Sequence, residues 1–345
     1  MSFNPIRRSL LAATLGALSL GFALPALSAD KVVVYSARKD HLIKPLFDAY
    51  TAKTGVEIDF ITDKEGPLLQ RLKAEGRRTP ADLLITVDAG NLWHAAHEGV
   101  LAKIDSAILN GNVPAHLRDP DGQWFGLSIR ARTIVRSTDR VPPSELSTYE
   151  DLADPKWKGR LCLRTSKKVY NQSLVAMMIA RHGMDEAERI VKGWVANLAE
   201  PPFSNDTKAM QAVAAGKCDV TVVNTYYFGR LQKSEPNLPL AIFWPNQGQD
   251  GHAAGTGVHV NISGAGVTRY AKHPQAAQAL LEWLSSDEAQ ALFASLNMEY
   301  PVKAGVEIDP LVAAWGGFKA DETNLAEAGR LQAEAVKLMD RAGYK

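Results

Sequence analysis

The chain has 345 residues, 46% of them hydrophobic, with 39 basic against 38 acidic side chains and only two cysteines. That balance gives no electrostatic footprint for nucleic acid or an anionic membrane surface, and the length exceeds what one core usually organises, so two lobes are expected. No internal repeat, nucleophile elbow or Gly-rich phosphate loop stands out, which argues against an enzyme.

The chain opens with Arg7-Arg8, an apolar run from Leu10 to Leu24, and Pro25-Ala26-Leu27-Ser28-Ala29. A basic n-region, a short h-region and small residues before a cut spell a secretory signal peptide over 1–29, cleaved near Ala29. The arginine pair admits a twin-arginine route, although such pairs are common in ordinary n-regions. The run is too short to span a bilayer. Losing the two arginines from 39 leaves 37 basic residues against 38 acidic, a net charge near −1 for a soluble, exported chain.

Val32-Val33-Val34-Tyr35 reads as a buried strand, followed by the polar turn Ser36-Ala37-Arg38-Lys39-Asp40. Leu42, Ile43, Leu46, Phe47 and Tyr50 then mark one helical face, closed by Gly55. Strands at 56–61 and 81–87 alternate with helices at 67–75 and 91–98, a βαβαβ rhythm that predicts a parallel sheet covered on both faces. From Trp124 to Arg136 runs one long extended stretch with Arg130 and Arg132 two residues apart, hence on one strand face. A strand that long can cross between lobes, and a second crossing is expected within 255–267. The later half repeats the pattern, with strands at 161–164 and 219–223 and helices at 171–181, 184–198, 206–215, 274–285, 287–294 and 324–341.

Each cysteine stands at a strand start, Cys162 in Leu161-Cys162-Leu163 and Cys218 in Lys217-Cys218-Asp219. An even pair in an exported chain reads as a disulfide, and the spacing matches no Cys-x-x-Cys metal pattern.

Three phenols fall at carboxyl ends of strands: Tyr170 after 161–164, and the adjacent Tyr226 and Tyr227 after 219–223. In open α/β sheets ligands bind at those ends, so the three are expected to converge. A phenol titrates near pH 10. A hard, highly charged cation displaces its proton, and ferric iron suits this where softer metals do not. Three phenolates balance a 3+ charge and leave room for a small anion such as carbonate, which would want a planar guanidinium fork. Arg38, Arg130 and Arg132 are the candidates. The plainer alternatives are aromatic packing at a lobe edge and solvated basic residues.

Several stretches together resemble the periplasmic ferric-iron-binding proteins, the substrate-binding components of iron ABC transporters. They are Val34-Tyr35-Ser36-Ala37-Arg38, Thr79 to Asp88, Gly126 to Arg132, Lys168-Val169-Tyr170-Asn171-Gln172-Ser173-Leu174 and Asn224-Thr225-Tyr226-Tyr227. They occur in order over nearly all of the mature chain. The resemblance implies an α/β, two-lobed periplasmic binding protein fold with hinge strands between doubly wound lobes. Lobe one is expected over 30–129 plus 254–304 and lobe two over 130–253 plus 305–345. It implies Tyr170, Tyr226 and Tyr227 as ferric ligands, a bridged Cys162–Cys218 pair, a monomer in the periplasm, and delivery to an inner-membrane ABC permease. A binding protein of the same fold for a small anion or organic solute, without metal, is the alternative.

One departure matters. Several members carry a His or His-Tyr pair just after the first strand's Ser-x-Arg, whereas here Lys39-Asp40 precede His41. The chain thus resembles the branch that uses three tyrosines from one lobe plus an anion. Asp40 could still reach iron and His41 could shift into the site, but His41 is expected to begin the helix on its surface. Glu57 and Glu65 are expected on solvated faces, as are His94 and His97, and the seven tryptophans in packing.

Overall fold

The computed structural model describes Met1 and residues 31–248 and 255–345. The signal peptide therefore lies outside the described residues, as does the stretch 249–254 that precedes the expected second crossing.

β1 (Lys31–Ser36), α1 (Asp40–Thr54), β2 (Glu57–Thr62), α2 (Glu65–Glu75), β3 (Leu83–Val87) and α3 (Ala89–His97) form the opening βαβαβα unit. β1 pairs in parallel with both β2 and β3. Gly55 closes α1 in the left-handed region at φ 76°, where a residue without Cβ is strain-free. After α4 (Ala107–Asn112) comes β4 (Phe125–Ser137), whose 13 residues are long enough to serve two lobes. Its first half, Phe125 to Ala131, pairs antiparallel with β8 in lobe one. Its second half, from Arg132 on, pairs with β6 and β7 in lobe two.

Lobe two contains β5 (Leu161–Cys162), α5 (Val169–His182), α6 (Met184–Ala196), α7 (Asp206–Ala214), β6 (Val220–Asn224), α8 (Thr225–Ser234) and β7 (Leu240–Phe243). The chain returns along β8 (Val260–Val267), which pairs antiparallel with β3 and β4, and continues through α9 (Pro274–Leu284) and α10 (Asp287–Asn297). One continuous path, β2-β1-β3-β8-β4-β6-β5, results, with β7 on β4. β4 is one expected crossing; β8 pairs only in lobe one, so the second passage between the lobes falls on the chain between β7 and β8.

Two large cores follow from this path. Val32, Val34, Ile43, Leu46, Leu83, Ile85, Trp124 and Phe293 pack in the first lobe. Ile134, Trp157, Leu174, Ile190, Trp194 and Val222 pack in the second. The tail differs from the single late helix that its apolar spacing predicts. After a short α11 (Pro310–Ala313), the expected 324–341 helix breaks into α12 (Ala326–Arg330) and α13 (Gln332–Arg341). Leu325 and Ala328 pack in the first core, while Leu331, Ala335 and Leu338 pack in the second. The stripe is indeed core packing, but the turn at Leu331 divides it between lobes. Cys162 and Cys218 are disulfide-bonded, with Cα atoms 5.9 Å apart beside the β5–β6 pairing.

Candidate metal centre in the interlobe cleft

β6 ends at Asn224 and α8 begins at the next residue, so Tyr226 and Tyr227 lie in the first turn of a helix rather than on an intervening turn. α5 likewise begins at Val169, two residues earlier than the sequence suggests, and Tyr170 is in its first turn. Two helix starts thus aim three phenols at one point. The Tyr226 hydroxyl donates to the Tyr170 hydroxyl at 3.2 Å. The Tyr226 and Tyr227 rings stand 4.4 Å apart, centroid to centroid, tilted by 36°. Tyr170 and Tyr226 are buried and Tyr227 is half-buried.

All three line a cleft of about 440 Å³ between the lobes. The facing wall comes from the β1–α1 and β2–α2 junctions and includes Arg38, Lys39, Leu42, Asp63, Lys64 and Glu65. Burial pushes the Tyr226 phenol well above its ordinary range, and the negative charge that Tyr170 and Tyr227 could carry pushes it further; Arg130 pulls the other way. Cations surround the rings. Lys168 Nζ lies 4.6 Å from the Tyr170 ring, Arg130 and Arg164 lie 5.6 Å from it, and Arg230 lies 5.0 Å from the Tyr226 ring.

Of the three arginines expected near an anion, two line the cleft and one does not. Arg38 and Arg130 are buried at its floor, held by Ser263 and by Glu299. Arg38 Nη1 is 3.0 Å from Glu299 Oε2, and Arg130 Nη1 is 3.7 Å from Glu299 Oε1. Arg132 turns into lobe two, where its fork meets Asp206 at 3.2 Å, Asn224 Oδ1 at 3.0 Å and Asn171 Oδ1 at 2.5 Å. The twist of β4 between its two pairing halves carries the second arginine away from the first.

Asp40 and His41 are exposed on α1 and are not part of the cleft lining. Glu57 is exposed, as its alternation predicts. Glu65 departs from expectation: it lines the cleft and faces Lys168 at 3.6 Å across the lobes. His97 is exposed, whereas His94 is half-buried against Gln332. Sequence reasoning missed Glu299, which follows α10 in a loop without periodicity. It also missed Lys168, Arg164 and Arg230, whose proximity to the tyrosines in sequence is the one signal that could have found them.

Burial works to raise the Glu299 carboxyl, but Arg38, Arg130 and the Ser128 hydroxyl outweigh it and hold it below the usual carboxylate range. The cleft therefore presents six cationic side chains, Arg38, Lys39, Lys64, Arg130, Lys168 and Arg230, against three carboxylates, Asp63, Glu65 and Glu299. Among the described residues no group of three His, Cys, Asp or Glu side chains could hold a metal ion, so the phenols are the donors at issue.

Two lobes joined by the crossing strand β4 and a return passage, with a polar cleft between them, define a solute-binding protein. The profile of the bacterial extracellular solute-binding proteins matches residues 78–314, and the chain belongs to that family. It is 44% identical to iron uptake protein A1 of Synechocystis sp. over 322 residues, covering 92% of this chain and 88% of that protein. A Trichodesmium FutA (IdiA) structure in complex with iron and citrate superposes with a TM-score of 0.87 at 46% identity, covering 91% of this chain and all of the other. Apo FutA2 from Synechocystis superposes with a TM-score of 0.86 at 42% identity, covering 92% of this chain and 100% of the other. This chain is thus a binding protein of the iron-uptake type rather than an enzyme.

Proposed function

We propose that the protein captures ferric iron in the periplasm, through Tyr170, Tyr226 and Tyr227 as phenolate ligands, and delivers it to an inner-membrane ABC permease. The observation that carries this reading is the convergence of the three phenols in the interlobe cleft. Relatives that share nearly the whole chain are named for iron uptake, and one was solved with iron and citrate. Phenolate oxygen is a hard, anionic donor, and three of them match the charge of ferric iron. An oxygen-rich small anion such as carbonate completes the coordination, facing the excess of cations in the cleft. Arg38 and Arg130, which share a single carboxylate, are its nearest guanidinium partners on the cleft floor. The signal peptide, cut near Ala29, takes the chain across the inner membrane. The mature protein acts as a monomer, its two lobes closing on one another about β4 and the return passage before β8, with the C-terminal helices shared between them.

The test is a visible absorption titration of metal-stripped mature protein with ferric citrate, with and without bicarbonate, alongside Tyr227→Phe. A phenolate-to-iron charge-transfer band saturating at one equivalent and weakened in the variant is expected. Dependence on bicarbonate identifies that anion. A folded wild-type protein that develops no band overturns the ferric reading in favour of a metal-free anionic or organic solute.

A further inference from the structure

The helix that carries Tyr170 is fastened to the opposite lobe at two points, at its start and in its first turns, with a third link relayed through Gln332 of α13. At the mouth of the cleft, Lys168, the residue just before α5, faces Glu65 at the start of α2. One turn further, Gln172 accepts from Gln332 Nε2 at 3.2 Å, and Gln332 Oε1 in turn meets His94 Nε2 on α3 at 2.5 Å. Deepest, the Ser173 hydroxyl donates to Asp88 Oδ1 at 2.7 Å. Ser173 and Asp88 are both fully buried, so this last bond crosses the lobes away from water.

Asp88 has an unusual backbone, φ 78° and ψ 127°, which a residue with a Cβ rarely adopts. Strain of this kind persists only where the surroundings over-determine it. Here the Asp88 N–H donates to Ile262 O on β8 at 2.8 Å, and its carboxylate accepts from Gly90 N and from Asn261 Nδ2 at 2.9 Å each. Capping α3 accounts for the Gly90 contact. It does not account for the Ser173 contact, which comes from the other lobe. A helical serine commonly bonds back to its own preceding turn. Ser173 instead reaches across to a carboxylate anchored on β8.

We infer that Asp88 and Ser173 form an interlobe latch, assisted by Glu65–Lys168, that ties the Tyr170 helix to lobe one and slows release of the bound metal. This inference rests on the ferric reading. Asp88 is a positioning residue, since it touches α5 and β8 rather than the cargo. Opening about β4 and the return passage before β8 separates α5 from the β3–α3 junction, and the latch must break before Tyr170 moves away from lobe one. The buried hydrogen bond to the Asp88 carboxyl is the dominant contact, and the partly exposed Glu65–Lys168 pair adds little.

The experiment follows loss of the phenolate-to-iron band when iron-loaded mature protein is mixed with excess EDTA, comparing wild type, Ser173→Ala and Glu65→Gln. Alanine is at home inside a helix, so Ser173→Ala removes the latch bond and little else. Release about tenfold faster in Ser173→Ala, with the band at the wild-type wavelength, is the expected result; Glu65→Gln should change release by no more than about twofold. A purely structural role would lower the urea midpoint of the apo protein and leave the release rate unchanged, and that outcome overturns the latch. A wild type without any band sinks the ferric reading and the latch with it, so the two failures are distinguishable.

Discussion

Glu299 is the carboxylate on which the cleft floor depends, and Glu299→Gln tests that dependence. Its side chain is almost fully enclosed and contacts Arg38 at 3.0 Å, Arg130 at 3.7 Å and Ser128 Oγ at 2.6 Å. Replacing a buried ion pair by apolar groups can be neutral, but removing one partner strands the other as an uncompensated buried charge. Here one loss removes the single carboxylate shared by two guanidiniums, each with about 2% of its side chain exposed. Breaking a buried pair costs about 3–5 kcal/mol, and because glutamine keeps an acceptor the expected loss is about 3 kcal/mol. Urea unfolding of the apo protein at pH 7.5 measures it, with the slope unchanged if the effect is on the native state. The pH dependence has a definite sign. The folded carboxyl is held below its ordinary value, so its stabilisation is complete above the ordinary glutamate range. It drains away as pH falls through the lower folded value. The gap between wild type and Glu299→Gln should therefore narrow below about pH 4. A gap under about 1 kcal/mol at neutral pH, or one that widens on acidification, would refute the reasoning.

The Tyr149 hydroxyl donates to Arg132 O and accepts from His259 N at 3.1 Å, tying β4 to the chain just before β8. Tyr149→Phe orphans both backbone groups and should cost about 1–3 kcal/mol in chemical unfolding. The Cys162–Cys218 bridge spans 56 residues, and by the chain-entropy estimate its reduction should cost about 4 kcal/mol, read as a lower urea midpoint under dithiothreitol. Because the Tyr226 phenol is raised, first by burial and then by its phenol neighbours, iron must displace its proton. Apparent ferric affinity should then fall as pH falls, by up to about one order of magnitude per unit for each phenolate formed, in a competition titration against citrate. A pH-independent affinity would exclude proton displacement from the site.

How much of this was legible in the sequence depends on which physical signal each residue left. The alternation of β-branched strands with capped helices is local, and it exposed the βαβαβ unit, the crossing strand β4 and the strand-end positions of the three tyrosines. Helix starts were the weaker part. Lys168-Val169-Tyr170 offers no cap residue, and Asn224, a favoured N-cap type, makes no side-chain bond to the first turn of α8. The phenols were therefore expected on turns when they are on first helical turns. The difference has a consequence: two rigid helices, rather than two loops, hold the donors, so their spacing is set by the packing of α5 and α8 around β6.

What the sequence concealed is charge pairing across distance. Arg130 and Arg132 share a strand face by period, yet β4 changes partners between them, from β8 to β6. The first arginine accordingly meets Glu299, 169 positions away, and the second meets Asp206, 74 positions away. No local pattern encodes either partnership, because a lone carboxylate in a loop or at a helix start looks solvated until the fold encloses it. The same enclosure gives the cleft its character. Glu299 neutralises one of the two floor guanidiniums, Glu65 partly answers Lys168, and the remaining excess of cations faces the three phenols. If three phenolates hold a trivalent cation, as proposed, loading would add no net charge to this arrangement. On the proposed reading, the cleft's excess of cations would be balanced by the anion rather than by the iron.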